Sequence, residues 1–347
     1  MVDKNDYKAK RMKINLNRIF LNLLRLGCLL ALVVIILGAY VRLSDAGLGC
    51  PDWPGCYGKL IVPEGSISQV EEMNLAYPER LFEKDKAWKE MLHRYLASAL
   101  GFLILMLAAL TWFKPQFLSV RLFSSILLVL VMFQGLLGMW TVTLLLKPIV
   151  VMLHLLGGLA ILSLLYWKML QQQSSGGFFV SESSTELLPI VVTALFILFC
   201  QISLGGWTSS NYAALACPDF PTCQNMWWPE MNFKEGFTLR RGLGINYEGG
   251  TLNSEARTAI HMTHRIGAII TGIIISYVSF RAILTGAKYL RLTGVVVLIL
   301  LITQLLLGVA NIKFNLPLSI AVAHNGVAAL LLLSLITLLH HCVSDRK

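Results

Sequence analysis

Charge is what this chain has least of: 14% of its 347 residues are Asp, Glu, Lys or Arg, against 56% hydrophobic, and its mean hydropathy is +0.67. Soluble domains carry about a quarter charged residues, so an ordinary soluble fold is excluded and a membrane protein is indicated. Three further absences narrow the field. No Cys-x-x-Cys occurs among the seven cysteines, which argues against a thiol oxidoreductase. The two loops that carry paired cysteines have no histidine, which argues against zinc. No small-residue cleavage site follows the first apolar run, which is also too long for a signal peptide and reads as a retained span. Low complexity is confined to Gln171-Gln172-Gln173-Ser174-Ser175-Gly176-Gly177, a linker composition.

Apolar runs long enough to cross a bilayer cover residues 19–41, 91–113, 119–144, 149–169, 187–208, 259–284, 289–312 and 318–340. The expectation is an all-α polytopic membrane protein of eight helices. The formal charge of +10 is no sign of a nucleic-acid partner, because its basic residues sit at span ends. Lys4, Lys8, Lys10, Arg11, Lys13 and Arg18 precede the first span, and Lys114, Arg121, Lys168, Arg281, Lys288, Arg291, Arg346 and Lys347 fall on the same side. The positive-inside rule makes that side, with both termini, cytoplasmic. The long loops, about 43–89 and 209–257, then face outward.

The strongest signal is an internal repeat. Cys50-Pro-Asp-Trp-Pro-Gly-Cys56 answers to Cys217-Pro-Asp-Phe-Pro-Thr-Cys223 at an offset of 167, His93 to His264 at 171, and Gln134 and His154 to Gln304 and His324 at 170. With four helices in each half, the repeats run parallel and predict two four-helix bundles. The expected division is a tail over 1–18, a bundle over 19–169, a cytoplasmic linker over 170–186, a bundle over 187–341 and a tail over 342–347. Gln134/Gly138, Gln201/Gly205 and Gln304/Gly308 repeat Gln-x-x-x-Gly, which reads as close helix packing with one interhelical hydrogen bond.

Chemistry concentrates at histidines. His93, His154, His264 and His324 lie near the outer ends of alternate spans. Any one of them is as well explained by packing, but four at matched depth in a duplicated chain predict one bis-histidine haem per bundle, His93 with His154 and His264 with His324. Gly157 and Gly158, one turn past His154, and Gly326, just past His324, would let a porphyrin lie against the helices. Glu90 precedes His93 by one turn, whereas His261 stands at the matching place before His264. A solvated carboxylate is the simpler reading of Glu90 alone. The asymmetry assigns reaction to the first bundle and support to the second, and leaves His261 as a competitor of His264 for iron. Arg94 and Arg265 suit haem propionates or lipid phosphates, and both remain open. Arg42, Ser44 and Asp45, matched in the second half by the diverged Ser209, Asn211 and Tyr212, read either as interfacial charge or as a site that holds an anionic group. Cys50–Cys56 and Cys217–Cys223 are expected to close locally as outward staples, with a redox pair as the second reading. Cys28, Cys200 and Cys342 read as small hydrophobes, and His340 and His341 as tail residues.

In these residues the chain resembles the haem A synthases of aerobic respiratory chains: Glu90-x-x-His93-Arg94, His264-Arg265, His154, His324 and the paired loop cysteines, over nearly all of the eight-helix core. The resemblance implies oxidation of the C8 methyl of haem O to a formyl group, giving haem A for cytochrome c oxidase. It implies substrate haem on His93 and His154, haem b as cofactor on His264 and His324, and Glu90 as the catalytic carboxylate. It also implies a bacterial plasma (inner) membrane location. Expected partners are the farnesyltransferase that makes haem O, the cytochrome c oxidase assembly route, the lipid bilayer and an unidentified electron acceptor, with a homo-oligomer left open. A quinol-linked dihaem b cytochrome would use the same ligands and give Glu90 no reactive role. A haem transporter or chaperone would hold an exchangeable haem.

Overall fold

The structure, a computed structural model, describes residues 4–173 and 183–344. Part of the expected linker, with the last residues of the C-terminal tail, lies outside the described residues. Ten α-helices follow in order: α1 (Lys4–Leu43), α2 (Ile67–Ala76), α3 (Lys84–Phe113), α4 (Arg121–Thr143), α5 (Pro148–Gln173), α6 (Ser183–Ser210), α7 (Phe233–Gly236), α8 (Ser254–Leu284), α9 (Lys288–Lys313) and α10 (Leu318–Ser344). A 3₁₀ turn at Pro115–Val120 joins α3 to α4. Among the described residues eight helices are long and apolar enough to cross a membrane, and the short α2 and α7 lie in the two long loops.

Several helices begin before the apolar runs that announce them. α1 starts at Lys4, within the expected tail, and α3 and α8 start at Lys84 and Ser254, where the first turns are polar and contribute nothing to a hydropathy signal. Local chemistry fixes the start of α8, where the Asn253 side chain accepts from the Ala256 amide at 2.9 Å as an N-cap. Pro148 opens α5, where a missing N–H removes no helical bond.

α1 packs against α3 and α5, α3 against α4, and α4 against α5. α6 packs against α8 and α10, and α9 against both α8 and α10. α10 also touches α1 and α5, and α5 touches α6. One apolar cluster gathers Phe20, Leu24, Ile104, Leu107, Leu127 and Leu162, and a second gathers Leu187, Val191, Ile275, Val297 and Leu335, all buried. In hydrocarbon such contacts act through close packing rather than exclusion of water.

The repeat extends to the backbone. Non-glycine residues in the left-handed region come in register: Asp45 (φ 50°) with Tyr212 (53°), Tyr57 (52°) with Gln224 (54°), and Leu146 (60°) with Leu316 (59°). Such residues each carry a penalty of roughly 1–2 kcal/mol, so matched placement marks turns with the same shape. Both cysteine loops contain a cis proline, after Trp53 and Phe220.

Candidate functional site

Each cysteine loop is a closed turn on the end of a helix. Cys50 bonds to Cys56 and Cys217 to Cys223, the local pairing expected from the sequence, and all four are fully buried. Asp52 accepts from the Tyr57 amide at 2.6 Å and the Gly58 amide at 2.9 Å; Asp219 accepts from Gln224 at 2.5 Å and Asn225 at 3.1 Å. The Thr222 hydroxyl and these amides hold the Asp219 carboxyl below the usual carboxylate range. Burial pushes the Tyr57 phenol up to about 12, so it stays protonated and donates to the Leu81 carbonyl at 3.1 Å.

Arg94 and Arg265 fasten these loops. Arg94 Nη1 donates to the carbonyls of Asp52 (3.0 Å) and Gly55 (2.5 Å), and Nη2 donates to Glu90 Oε1 at 2.5 Å. Arg265 donates to the carbonyls of Thr222 (2.8 Å), Cys217 (3.0 Å) and Asp219 (2.7 Å). The sequence offered propionates or lipid phosphates as their partners; the structure shows both guanidinium groups on loop carbonyls, with Arg94 also in the cavity wall.

Glu90 is buried, 4% exposed, between that arginine and the loop. Its Oε2 accepts from the Cys50 amide at 2.9 Å. His261 occupies the same bracket: the Cys217 amide meets its Nδ1 at 3.3 Å and Arg265 Nε meets its Nε2 at 3.3 Å. The two ring nitrogens of His261 therefore face the Cys217 amide of the loop and Arg265 of α8.

Three of the four histidines expected as ligands share one local motif. His154 Nδ1 lies 3.1 Å from Gln134 Nε2, His264 Nδ1 3.1 Å from Gln201 Nε2, and His324 Nε2 3.1 Å from Gln304 Nε2. One turn beyond each glutamine a glycine receives the ring edge: a Cβ on Gly138, Gly205 or Gly308 would stand 3.2, 3.2 or 3.3 Å from Cε1 of its histidine. α1 supplies the fourth such glycine, Gly38, whose Cβ would stand 2.9 Å from His93 Cε1. The sequence marked the glutamines for packing with one interhelical hydrogen bond; the bond is present, and its partner is the histidine. Gly38 carried no signal in the sequence, because the residue four before it is Val34 rather than a glutamine.

A cavity of about 650 Å³ opens between α1, α3, α4 and α5. His93, His154, Glu90, Arg94, Arg42 and Gly158 line it, together with Ser209 and Asn325 from the second half. The His93 and His154 rings face each other across it with centroids 6.4 Å apart and planes at 75°. Gly157 and Gly326 do not line this cavity. A Cβ on Gly157 would overlap the Gln134 amide oxygen, and one on Gly326 would rest on Ile36 at 3.5 Å. Arg42 donates to the Ser209 carbonyl at 2.7 Å, stacks over Tyr212 at 4.1 Å and pairs with Asp45 at 3.7 Å, so these residues clasp the two halves. His340 is buried against Trp167, with centroids 5.4 Å apart, and is no tail residue.

The spacing suits a metal between the rings. Two imidazole–metal bonds of about 2 Å, with about 1 Å from nitrogen to ring centre on each side, place the centroids of a ligand pair about 6 Å apart. Imidazole suits iron, and the volume lies within the ordinary range for a bound organic group of about 300–1,000 Å³. The residues present thus fit a haem.

Fold and site together define a polytopic helical membrane protein with a histidine-lined intramembrane cavity under a disulfide-closed loop. The model of the COX15-CtaA family, described as cytochrome oxidase assembly protein, matches residues 22–336, and the chain belongs to that family. It is 44% identical to a haem A synthase of Shewanella oneidensis over 91% of this chain and 94% of that protein. It is 26% identical to haem A synthases of Rhizorhabdus wittichii, over 91% of both chains, and of Shouchella clausii, over 92% of this chain and 95% of that one.

Proposed function

We propose that this protein is a haem A synthase, an enzyme that oxidises the C8 methyl of haem O to a formyl group for cytochrome c oxidase. The observation that carries this reading is the cavity with His93 and His154 opposed at 6.4 Å and Glu90 in its wall. In this reading His93 and His154 hold the substrate haem, and His264 and His324 hold a haem b that supplies one-electron chemistry. The N-terminal bundle, residues 19–169, is the reacting unit and the C-terminal bundle, 187–341, the supporting one. The matched loops, the matched histidine–glycine contacts and the packing among α1, α3, α4 and α5 and among α6, α8, α9 and α10 support that division.

Converting a methyl to a formyl removes two hydrogens from the carbon, adds one oxygen and withdraws four electrons, so protons must leave. Glu90 is a carboxylate at the cavity wall with lone pairs beyond those held by Arg94 and Cys50. It takes up such protons or stabilises positive charge at the haem edge, typically worth about 10²–10⁴-fold. Arg94 keeps it oriented. The electrons pass to an acceptor yet to be identified.

The protein sits in the bacterial inner membrane with both termini cytoplasmic, beside the farnesyltransferase whose product it consumes. The quinol-linked cytochrome and the haem carrier are not favoured, because the relatives are synthases along nearly their whole length. The test is extraction and chromatography of haems from protein expressed with a haem O supply. Haem b with haem A in the native protein, and haem O or a hydroxylated intermediate in Glu90→Gln, is the expected result. Haem b alone in both would overturn the proposal.

A further inference from the structure

The two cysteine loops share more than their disulfides. In each, the second cysteine closes a tight turn with the residue three further on, Cys56 with Lys59 and Cys223 with Met226. The next two residues then project from the protein: Leu60 and Ile61 are 72% and 68% exposed, and Trp227 and Trp228 are 74% and 67% exposed. Within each ring a further large apolar side chain, Trp53 or Phe220, is exposed at the matching place. Apolar groups left open at the same positions of both halves call for a cover.

Their depth identifies that cover. The Tyr95 hydroxyl donates to the Leu60 carbonyl at 2.6 Å, so the first loop runs down the side of α3 as far as that residue. Arg94 and Arg265 hold carbonyls of the two loops at the same level. Trp112, with Arg121 stacked over it at 5.5 Å, marks the far membrane boundary near the end of α3. From Tyr95 to Phe113 and from Ile266 to Leu284 the helices cover equal lengths, about 27 Å at 1.5 Å per residue, against a hydrocarbon thickness of about 30 Å. Tyr95 and Ile266 therefore stand at the loop-side edge of the hydrocarbon, and the Tyr95 side chain, leaning toward the start of its helix, carries Leu60 at the headgroup layer. Trp88, Leu92, Tyr95, Phe102 and Met106 form an exposed apolar stripe down α3 at helical spacing, so Leu60 and Ile61 continue a lipid-facing surface. The chemistry agrees with that place: indoles favour the membrane–water boundary, and Lys59, exposed beside Leu60, is a cation within reach of lipid phosphate.

We propose that both cysteine loops are seated in the bilayer: Leu60-Ile61 and Trp227-Trp228 enter the headgroup–acyl boundary of the leaflet on the loop side, and Lys59 pairs with lipid phosphate. In the first half this seat anchors the cavity wall, because Trp53 and Pro54 of the same loop line the cavity and the Cys50 amide holds Glu90. It rests on the spans and the loops alone and holds whatever reaction the cavity performs.

The test uses full-length protein labelled with 5-fluorotryptophan in nanodiscs, with fluorine NMR of its eight tryptophans. Trp227→Phe and Trp228→Phe assign the two resonances. Broadening is compared for a lipid carrying a nitroxide high on its acyl chain and for a water-soluble gadolinium chelate. Trp112, exposed in a span, and Trp207, 3% exposed, serve as the lipid-contacting and buried references. Trp227 and Trp228 are expected to be broadened severalfold more by the lipid nitroxide than by the chelate, and the added resonance of Leu60→Trp to behave alike. In Leu60→Ser with Ile61→Ser, Trp53 is expected to lose its broadening by the lipid nitroxide and to gain broadening by the chelate. Stronger broadening of Trp227 and Trp228 by the chelate would place the loops in water, and broadening by neither would mean that a second copy of the chain covers them; either result overturns the proposal. Both native tryptophans decide should the first-loop variants not fold.

Discussion

A carboxylate accepts from several donors at once, whereas a neutral imidazole accepts at one nitrogen only. Glu90 answers the Cys50 amide at 2.9 Å and Arg94 at 2.5 Å with two oxygens; His261 stands 3.3 Å from both the Cys217 amide and Arg265 and can satisfy one. In both halves the arginine also donates to three loop carbonyls, so the loop stays fastened whichever residue fills the bracket. Glu90→His should therefore fold, since the same bracket already holds a histidine, and should lose haem A formation; melting curves and haem chromatography on one preparation check both. Glu90→Leu should instead leave Arg94 without its carboxylate and lose about 3–5 kcal/mol, seen as a fall in melting temperature that Glu90→His does not show. The Glu90–His261 exchange was legible in the sequence because both precede a histidine by one turn. The fate of Arg94 and Arg265 was not: no spacing reveals that a loop 40 residues upstream will present its carbonyls to them.

At the scale of elements, helix number and approximate span followed from hydropathy, while the starts of α1, α3 and α8 did not, because caps and polar first turns are invisible to an apolar window. The contact of each histidine with a glycine was likewise hidden, since residues on two helices meet only after packing. Gly38→Ala tests that contact. Its Cβ would come 2.9 Å from His93 Cε1, so the ring must move, and haem retention in the first cavity should fall about tenfold or more; Gly308→Ala, at 3.3 Å from His324, should affect only the haem of the second half. The loops invite a second measurement. Each disulfide closes a short ring, with a sequence separation of 6, so its removal should cost about 2 kcal/mol. Cys50→Ser with Cys56→Ser should lower the melting temperature and also loosen the Cys50 amide from Glu90, depressing activity, while Cys217→Ser with Cys223→Ser should lower stability with less effect on turnover. Equal losses of turnover from the two pairs would argue against a reacting first half.

Taken whole, the chain is joined at both faces. On the loop side Arg80 pairs with Glu248 at 2.7 Å, the Tyr247 amide donates to the Leu145 carbonyl at 3.0 Å, and Arg42 reaches Ser209. Toward the other end Tyr166 and Thr337 share a hydroxyl hydrogen bond at 2.8 Å. Between them α1 and α5 lie against α10, and α5 against α6. The sequence showed that there were two halves but not how they met, because these contacts join residues about 100–170 positions apart that no motif links. A partly exposed ion pair such as Arg80–Glu248 contributes about 1 kcal/mol or less, so Arg80→Ala alone should shift stability only slightly. Helix packing carries the rest, and packing does not depend on the covalent link between the halves. A protease site inserted between residues 174 and 182 and cleaved in the purified protein should therefore leave both fragments co-migrating on size exclusion, with haem content and turnover retained. Adding Arg80→Ala and Arg42→Ala should weaken that association without abolishing it, because the buried helix contacts persist when the clasp is gone. Separation of the fragments on cleavage alone would mean that the linker, rather than the α1–α10 and α5–α6 contacts, holds the cavity wall contributed by Ser209 and Asn325 in place.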